Sequence, residues 1–187
     1  MALRGIKVLE MAGLAPVPYC GQVLRDFGAE VIRVDRAGTT FQMDQQSRGK
    51  RSIALNMKHP AGQDILHKLV EKSDIIVDPF RPGVMERMNC GPDKLMEVNK
   101  GLIYARLSGF GQTGPLQFAP GHDINYIAQA GVLDALRDDR GKPQPPVNLI
   151  ADFAGGGMLL TTGIMAALYE RTVSGQGMCV TVPSSRK

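Results

Sequence analysis

Residues 6–34 read IKVLEMAGLAPVPYCGQVLRDFGAEVIRV, and this stretch predicts a strand, a helix and a second strand in succession. Residues 6–10 and 31–34 are short runs rich in β-branched side chains, as in buried strands. Between them, residues 16–27 have helical spacing, with proline in the first turn and Gly28 placed to end the helix. A strand, a crossover helix and a strand form the basic unit of a parallel sheet.

The same alternation continues along the chain. Helical patterns at 60–71, 84–98, 123–129 and 156–171 alternate with strand patterns at 75–77 and 102–107, and Gly91-Pro92 should divide the 84–98 helix. We therefore predict an α/β fold, in which a doubly wound, mostly parallel sheet carries helices on both faces. Such sheets bind ligands beyond the carboxyl ends of their strands, so the loops after residues 10, 34, 77 and 107 are the expected place for chemistry.

Composition narrows the class of ligand. The 187 residues are 43% apolar and 21% charged, which suits one globular domain, and the net charge of +4 favours an anion. The absence of Trp and the scattered cations argue against nucleic acid and favour a phosphorylated small molecule. Three cysteines without metal-type spacing indicate reduced thiols. The apolar stretch after Phe153 is interrupted by glycines and threonines, which predicts a buried helix rather than a membrane span.

Two groups of cations are candidates for phosphate binding. The first turn, residues 11–16, lacks the glycines of a dinucleotide fingerprint. Arg36 follows Asp35 at the end of a predicted strand, where it could bind a ribose phosphate of NADP or coenzyme A, or lie solvated at the strand end. Residues 48–52 hold three cations, which suit either a diphosphate or a solvated basic loop. Arg81 and Arg87 are predicted to lie on the surface.

An imidazole and a carboxylate each lie beside a predicted helix start. His122 follows Gly121 at a helix entrance, where the helix dipole disfavours the imidazolium and leaves a neutral ring that can act as a base. Asp152 precedes Gly155-Gly156-Gly157, and its spacing alone favours an N-cap role. Asp123 is predicted to be a cap or early-turn residue whose backbone N–H could bind negative charge.

At these motifs the sequence resembles the α-methylacyl-CoA racemase branch of the class III CoA-transferase family, from Met1 to about Gly177. The motifs that carry the resemblance are residues 5–10, 26–30, 34–36, 48–52, 80–86, 102–111, 121–126 and 149–157. The resemblance implies a Rossmann-like domain that binds coenzyme A and an incomplete version of the family fold. It also selects the ribose phosphate of coenzyme A for Arg36, by analogy.

The resemblance further implies roles for individual residues. His122 and Asp152 correspond to the two catalytic bases, and the thioester is expected to contact Gly121, His122, Asp123, Ile124, Asn125 and Tyr126. The CoA moiety is expected to contact Arg36, Leu55, Asn56, Met57 and Lys58. The implied reaction is racemisation of 2-methylacyl-CoA through an enolate, in lipid, fatty acid and bile acid metabolism, with no metal and with coenzyme A supplied by the substrate.

Two alternatives stay open. One is CoA transfer, with Asp152 as the nucleophile. The other is a non-catalytic CoA-binding fragment, because family members continue with a small second domain. We expect a CoA-binding domain at residues 1–150, a glycine-rich helix and connection at 151–177, and a divergent tail at 178–187.

The resemblance also carries expectations about assembly and location. The full-length family forms homodimers, but the short chain makes this assembly doubtful here. The racemase branch occurs in peroxisomes and mitochondria, whereas Ser185-Arg186-Lys187 is not the peroxisomal tripeptide, which leaves the cytoplasm as an alternative.

Overall fold

A parallel six-stranded sheet forms the centre of the protein in a computed structural model that describes residues 1–39 and 45–184. The strands are β1 Lys7–Met11, β2 Glu30–Arg36, β3 Arg51–Leu55, β4 Ile75–Asp78, β5 Ile103–Ser108 and β6 Cys179–Pro183. The helices are α1 Pro16–Asp26, α2 Pro60–Val70, α3 Val84–Arg87, α4 Pro92–Val98, α5 Asp123–Gln129, α6 Val132–Ala135, a π-helix Leu149–Met158 and α7 Leu159–Ser174.

The strand order is β3-β2-β1-β4-β5-β6, and every neighbouring pair is parallel. The chain builds outward from β1 to β3, then returns to the other side of β1 to place β4. This reversal creates a topological switch point between β1 and β4, which opens a crevice at the carboxyl edge of the sheet. The predicted α/β fold with a parallel sheet is confirmed.

Helices cover both faces of the sheet, and each face has its own apolar core. On one face, Leu24 of α1 and Ile164 of α7 pack with Val8 and Ile103. On the other, Leu66 of α2, Met85 of α3 and Leu95 of α4 pack with Leu9 and Tyr104. Burial on both faces explains why the central strands are apolar runs without alternation, which is what made them visible in the sequence.

Local signals placed several element boundaries correctly. Helix α1 ends at Asp26, and Gly28 follows with a φ of 105°, a conformation that glycine adopts without strain. The helical pattern over 84–98 divides into α3 and α4, and α4 begins at Pro92. Helix α5 has the predicted bounds, Asp123–Gln129.

Two strands were not predicted. β3 lies within a region interpreted as a basic loop and a CoA-contacting stretch, and it pairs with β2 from Arg51 opposite Ile32 to Leu55 opposite Arg36. It is an edge strand in which only Leu55 is buried, so its sequence lacks a strong apolar pattern. Residues 178–187 were expected to form a divergent tail, but β6 pairs with β5 in the same sheet, while Ser185-Arg186-Lys187 lies outside the described residues.

The long apolar helix begins earlier than predicted, because residues 149–158 are π-helical and lead directly into α7. Among residues 1–39 and 45–184, one helical stretch, Leu149–Ser174, is long and apolar enough to cross a membrane by length and composition. Here Leu160, Ile164 and Ala167 lie in the core against the sheet, which is the arrangement predicted for a buried helix.

Candidate active site

A cleft of about 690 Å³ opens at the carboxyl edge of the sheet, at the switch point. Its walls come from the segments that follow β1, β4, β5 and β6, together with the starts of α5 and the π-helix. Both predicted bases, His122 and Asp152, line this cleft. The fold therefore brings together two side chains that are thirty residues apart in sequence.

His122 is the N-cap of α5, as its position after Gly121 predicted. Its backbone N–H donates a 2.9 Å hydrogen bond to Oδ1 of Asn125, which fixes the first turn. The Tyr126 hydroxyl donates a 2.6 Å hydrogen bond to the Gly121 carbonyl, and a Cβ at position 121 would lie 2.5 Å from the Tyr126 ring. Glycine is thus required where the chain turns past Tyr126 to present the imidazole.

Asp152 lies in the first turn of the π-helix and does not cap a helix, so the N-cap role that its spacing favoured is wrong. The N-cap is Asn148, which has a φ of 62° and whose Nδ2 donates a 3.2 Å hydrogen bond to Oδ2 of Asp152. Asp152 is only 7% exposed. Burial raises its pKa from 3.8 to about 6, the Asp123 carboxylate contributes in the same direction, and His122 opposes them.

Asp123 lies in the first turn of α5, as predicted, but its carboxylate acts on another helix. Its Oδ2 accepts hydrogen bonds from the backbone N–H of Ala151 at 2.7 Å and of Asp152 at 2.9 Å. The side chain is almost completely buried, with 1% of the residue exposed. Asp123 therefore caps the start of the π-helix and links it to the helix start that carries His122.

The other predicted contact residues lie in two places. Gly121 and Tyr126 line the cleft, whereas the Ile124 and Asn125 side chains are exposed on α5.

Arg36 and Leu55 are partners in the register of β2 and β3, so Asn56, Met57 and Lys58 continue from the carboxyl end of the strand beside Arg36. The structure brings these five predicted CoA contacts to one corner of the same sheet edge, outside the cleft lining.

The basic cluster at residues 48–52 is divided by exposure: the Arg48 and Arg51 side chains are exposed, as the solvated interpretation predicts, whereas the Lys50 side chain is not. Lys50 is buried, with a side chain that is 2% exposed, and its Nζ lies 2.7 Å from Oε2 of Glu10. Gly21 of α1 makes room for this pair, because a Cβ there would overlap the Glu10 carboxylate. Arg48 pairs with Asp26 at 2.8 Å on the surface. A third pair joins Arg51 to Glu30 at 3.4 Å.

Arg81 and Phe80 were missed as site residues, although they line the cleft. Arg81 is exposed, as predicted, but its side chain also faces the crevice. Burial and Asp152 raise the pKa of Tyr126, and Arg81 acts in the opposite direction. Asp78 holds this wall by accepting the Phe80 N–H at 2.8 Å. Their position directly after a central strand was the sequence signal that could have identified them.

The arrangement suits acid–base chemistry. An imidazole and a carboxyl group whose pKa is near neutrality share a cleft, so one can accept a proton while the other donates one. Within the part of the chain that the structure describes, no group of three or more His, Cys, Asp or Glu residues is placed to bind a metal ion.

Comparison with known proteins gives the family context. The sequence model of CoA-transferase family III matches residues 3–186, beyond the Gly177 at which the resemblance was expected to end. α-Methylacyl-CoA racemase of Mus musculus is 52% identical over 180 residues, which are 96% of this chain and 47% of that protein. The (R)-2-hydroxy-4-methylpentanoate CoA-transferase of Clostridioides difficile is 32% identical to this chain. That alignment covers 97% of this chain and 50% of the transferase.

Among solved structures, the crystal structure of Rv3272 from Mycobacterium tuberculosis matches with a TM-score of 0.87 at 34% identity. That match covers 97% of this chain and 54% of the Rv3272 chain. The chain thus spans about half the length of the proteins it matches.

Proposed function

The chain belongs to CoA-transferase family III, and from that premise we propose that it serves the racemisation of 2-methylacyl-CoA thioesters by proton transfer between two bases, His122 and Asp152. The observation that carries the proposal is their convergence on one cleft at the switch point. The similarity of the chain to α-methylacyl-CoA racemase supports the choice of substrate.

The reaction needs a base on one face of the substrate and an acid on the other. A hydrogen α to a thioester is weakly acidic, so its removal needs a positioned base and donors for the enolate oxygen. Neutral His122 removes the α-proton, and protonated Asp152 returns a proton to the opposite face. The opposite direction exchanges the two roles. The backbone N–H of Asp123, in the first turn of α5, is the donor that we assign to the enolate oxygen.

The pKa of Asp152 fits this task. With a pKa of about 6, a useful fraction of the carboxyl remains protonated near neutral pH, while the ionised form is also populated. Both forms are required, because Asp152 donates in one direction and accepts in the other. A carboxyl group at its ordinary pKa of 3.8 would be almost entirely ionised and a poor acid.

The CoA moiety is proposed to lie at the corner formed by Arg36, Leu55, Asn56, Met57 and Lys58, with its acyl chain directed into the cleft. Arg36 is exposed at the end of β2, where its guanidinium can bind a ribose phosphate. Both regions lie at the carboxyl edge of one parallel sheet, so an extended thioester can contact both.

CoA transfer is the second candidate, because the chain is also 32% identical to a CoA-transferase. In that reaction the Asp152 carboxylate attacks the thioester carbonyl, the C–S bond breaks, CoA leaves as a thiolate and an acyl-enzyme anhydride forms. The two reactions differ in the role of the imidazole, since the transferase step needs no second base across the substrate.

The test is incubation of the 187-residue chain with a 2-methylacyl-CoA in deuterated water. We expect deuterium at the α-carbon together with epimerisation, which mass spectrometry and NMR would measure. His122→Ala and Asp152→Ala should each abolish epimerisation and leave CoA affinity unchanged, although the remaining base can still exchange the α-proton of one epimer. Asp64→Ala, on the exposed surface of α2, should behave as wild type.

Three outcomes distinguish the alternatives. Epimerisation that persists in either variant would contradict the two-base assignment, because inversion needs a proton donor and an acceptor on opposite faces. CoA transfer to a free acid without α-deuteration would favour the transferase. CoA binding without either reaction would favour a non-catalytic chain.

A further inference from the structure

We propose that the Asp123 side chain is the positioning residue of this site, which fixes the Asp152 backbone to the helix start that carries His122 and supplies negative charge beside the Asp152 carboxyl. The inference rests on the proposed function, because it concerns the two bases of that reaction. It assigns to the side chain of Asp123 a role distinct from that of its backbone N–H.

The geometric argument is a short, buried connection between the two bases. Asp123 follows His122 directly in the chain, and its Oδ2 holds the backbone N–H groups of Ala151 and Asp152 at 2.7 and 2.9 Å. The carboxylate of Asp123 therefore connects the start of α5, which presents the imidazole, directly to the turn of the π-helix that presents the second base. Its near-complete burial excludes water as a competitor for these hydrogen bonds.

Stability alone does not account for a carboxylate here. Oδ1 of Asp123 is buried and has no hydrogen-bond partner among the described residues. A buried carboxylate oxygen without a donor is costly, and an uncharged acceptor could hold the same two N–H groups. The charge itself is therefore the feature that needs a function, and Asp152 is a group whose pKa it raises.

The electrostatic surroundings support this assignment. Two charged side chains, Asp123 and His122, act on the Asp152 carboxyl. Tyr126 and Arg81 line the same cleft, and the ring of Tyr19 of α1 packs on Phe153. After burial, Asp123 is the group that raises the pKa of Asp152, and His122 lowers it. Removal of the Asp123 charge should therefore lower the pKa of Asp152 and reduce the fraction of the carboxyl group that is protonated, and so able to donate a proton, at neutral pH.

The decisive variant is Asp123→Asn, whose amide oxygen can accept the same two hydrogen bonds but carries no charge. We would follow the Asp152 carboxyl by ¹³C NMR during a pH titration of the whole 187-residue chain without substrate. The midpoint should fall by about one pH unit relative to wild type. Asp64→Asn removes a charge on α2, on the opposite face of the sheet from α7, and should leave the midpoint in place.

The positioning role has its own measurement, the hydrogen exchange of the Ala151 and Asp152 amides. Asp123→Ala removes the acceptor and should lower their protection about tenfold or more, whereas Asp123→Asn should retain it. If Asp123→Ala does not fold, the same amides in Asp123→Asn still test the geometry. An unchanged Asp152 midpoint in Asp123→Asn would overturn the electrostatic role, and equal protection in folded Asp123→Ala would overturn the positioning role.

These measurements separate the inference from the proposed function, because neither requires turnover. A shifted midpoint in a chain that does not exchange α-protons would support the role of Asp123 and contradict the racemase activity. In an active chain, Asp123→Asn should lower kcat for exchange at neutral pH with KM little changed, and the limb of the pH profile that reports Asp152 should move to lower pH. Loss of CoA affinity alone would contradict the inference.

Discussion

Asp152→Asn should make the protein more stable at neutral pH, although it removes a proposed catalytic group. In the wild-type protein the folded chain holds a carboxyl group whose pKa is raised from 3.8 to about 6. The ionised form is disfavoured by burial and by the Asp123 carboxylate, so folding is opposed wherever the group is ionised in the unfolded chain. Asparagine fits the same space and keeps an acceptor for Nδ2 of Asn148.

The magnitude follows from the pKa difference. Because the folded pKa is raised, the contribution of protonated Asp152 to stability is fully present below pH 3.8 and is lost as the pH rises through about 6. Each unit of pKa corresponds to about 1.4 kcal/mol, so the penalty grows from less than ~1 kcal/mol at pH 4 to at most about 3 kcal/mol at pH 7. The gap between variant and wild type should widen by about 2 kcal/mol over that range.

The assay is urea unfolding of both proteins at pH 4 and pH 7, with a shared slope m. Asp78 also has a raised pKa of about 6, but it is present in both proteins and cancels in the difference. Asp64→Asn serves as the control and should differ from wild type by the same small amount at both pH values. An Asp152→Asn difference that is equal at pH 4 and pH 7 would refute the reasoning.

Two further predictions concern the scaffold, and urea unfolding measures both. Gly157→Ala should lower the free energy of unfolding by about 1–3 kcal/mol, because the new Cβ would lie 2.7 Å from the Pro16 carbonyl oxygen, where the π-helix crosses α1. A Gly157→Ala protein as stable as the wild type would contradict this prediction. Lys50→Ala should cost about 3–5 kcal/mol, because it removes the buried ammonium that neutralises Glu10. Arg48→Ala is the matched control, because the Arg48–Asp26 pair is exposed and its loss should cost less than ~1 kcal/mol. Similar losses of stability in Lys50→Ala and Arg48→Ala would contradict the burial argument.

Local patterns were enough to predict much of the fold. Residues 75–77 and 102–105 are apolar because both faces of the sheet are covered. Proline and glycine mark the ends of α1 and the start of α4. The start of α5, with His122 as its N-cap, was also predicted from the sequence, since a cap depends on a few neighbouring residues. These features depend on interactions within one element and its immediate flanks.

Long-range partners decided the remainder. Nothing near Lys50 in the sequence indicates that it is buried against Glu10, and the polar edge strand β3 becomes a strand only because β2 offers it hydrogen bonds.

The candidate site divides in the same way. The sequence alone determined the α/β class, the helix start that presents His122 and the chemical types of the two bases. The tertiary structure decided that Asp123 holds the backbone of Asp152 and raises its pKa, because charge, burial and hydrogen bonding act through space across twenty-eight or more residues of chain.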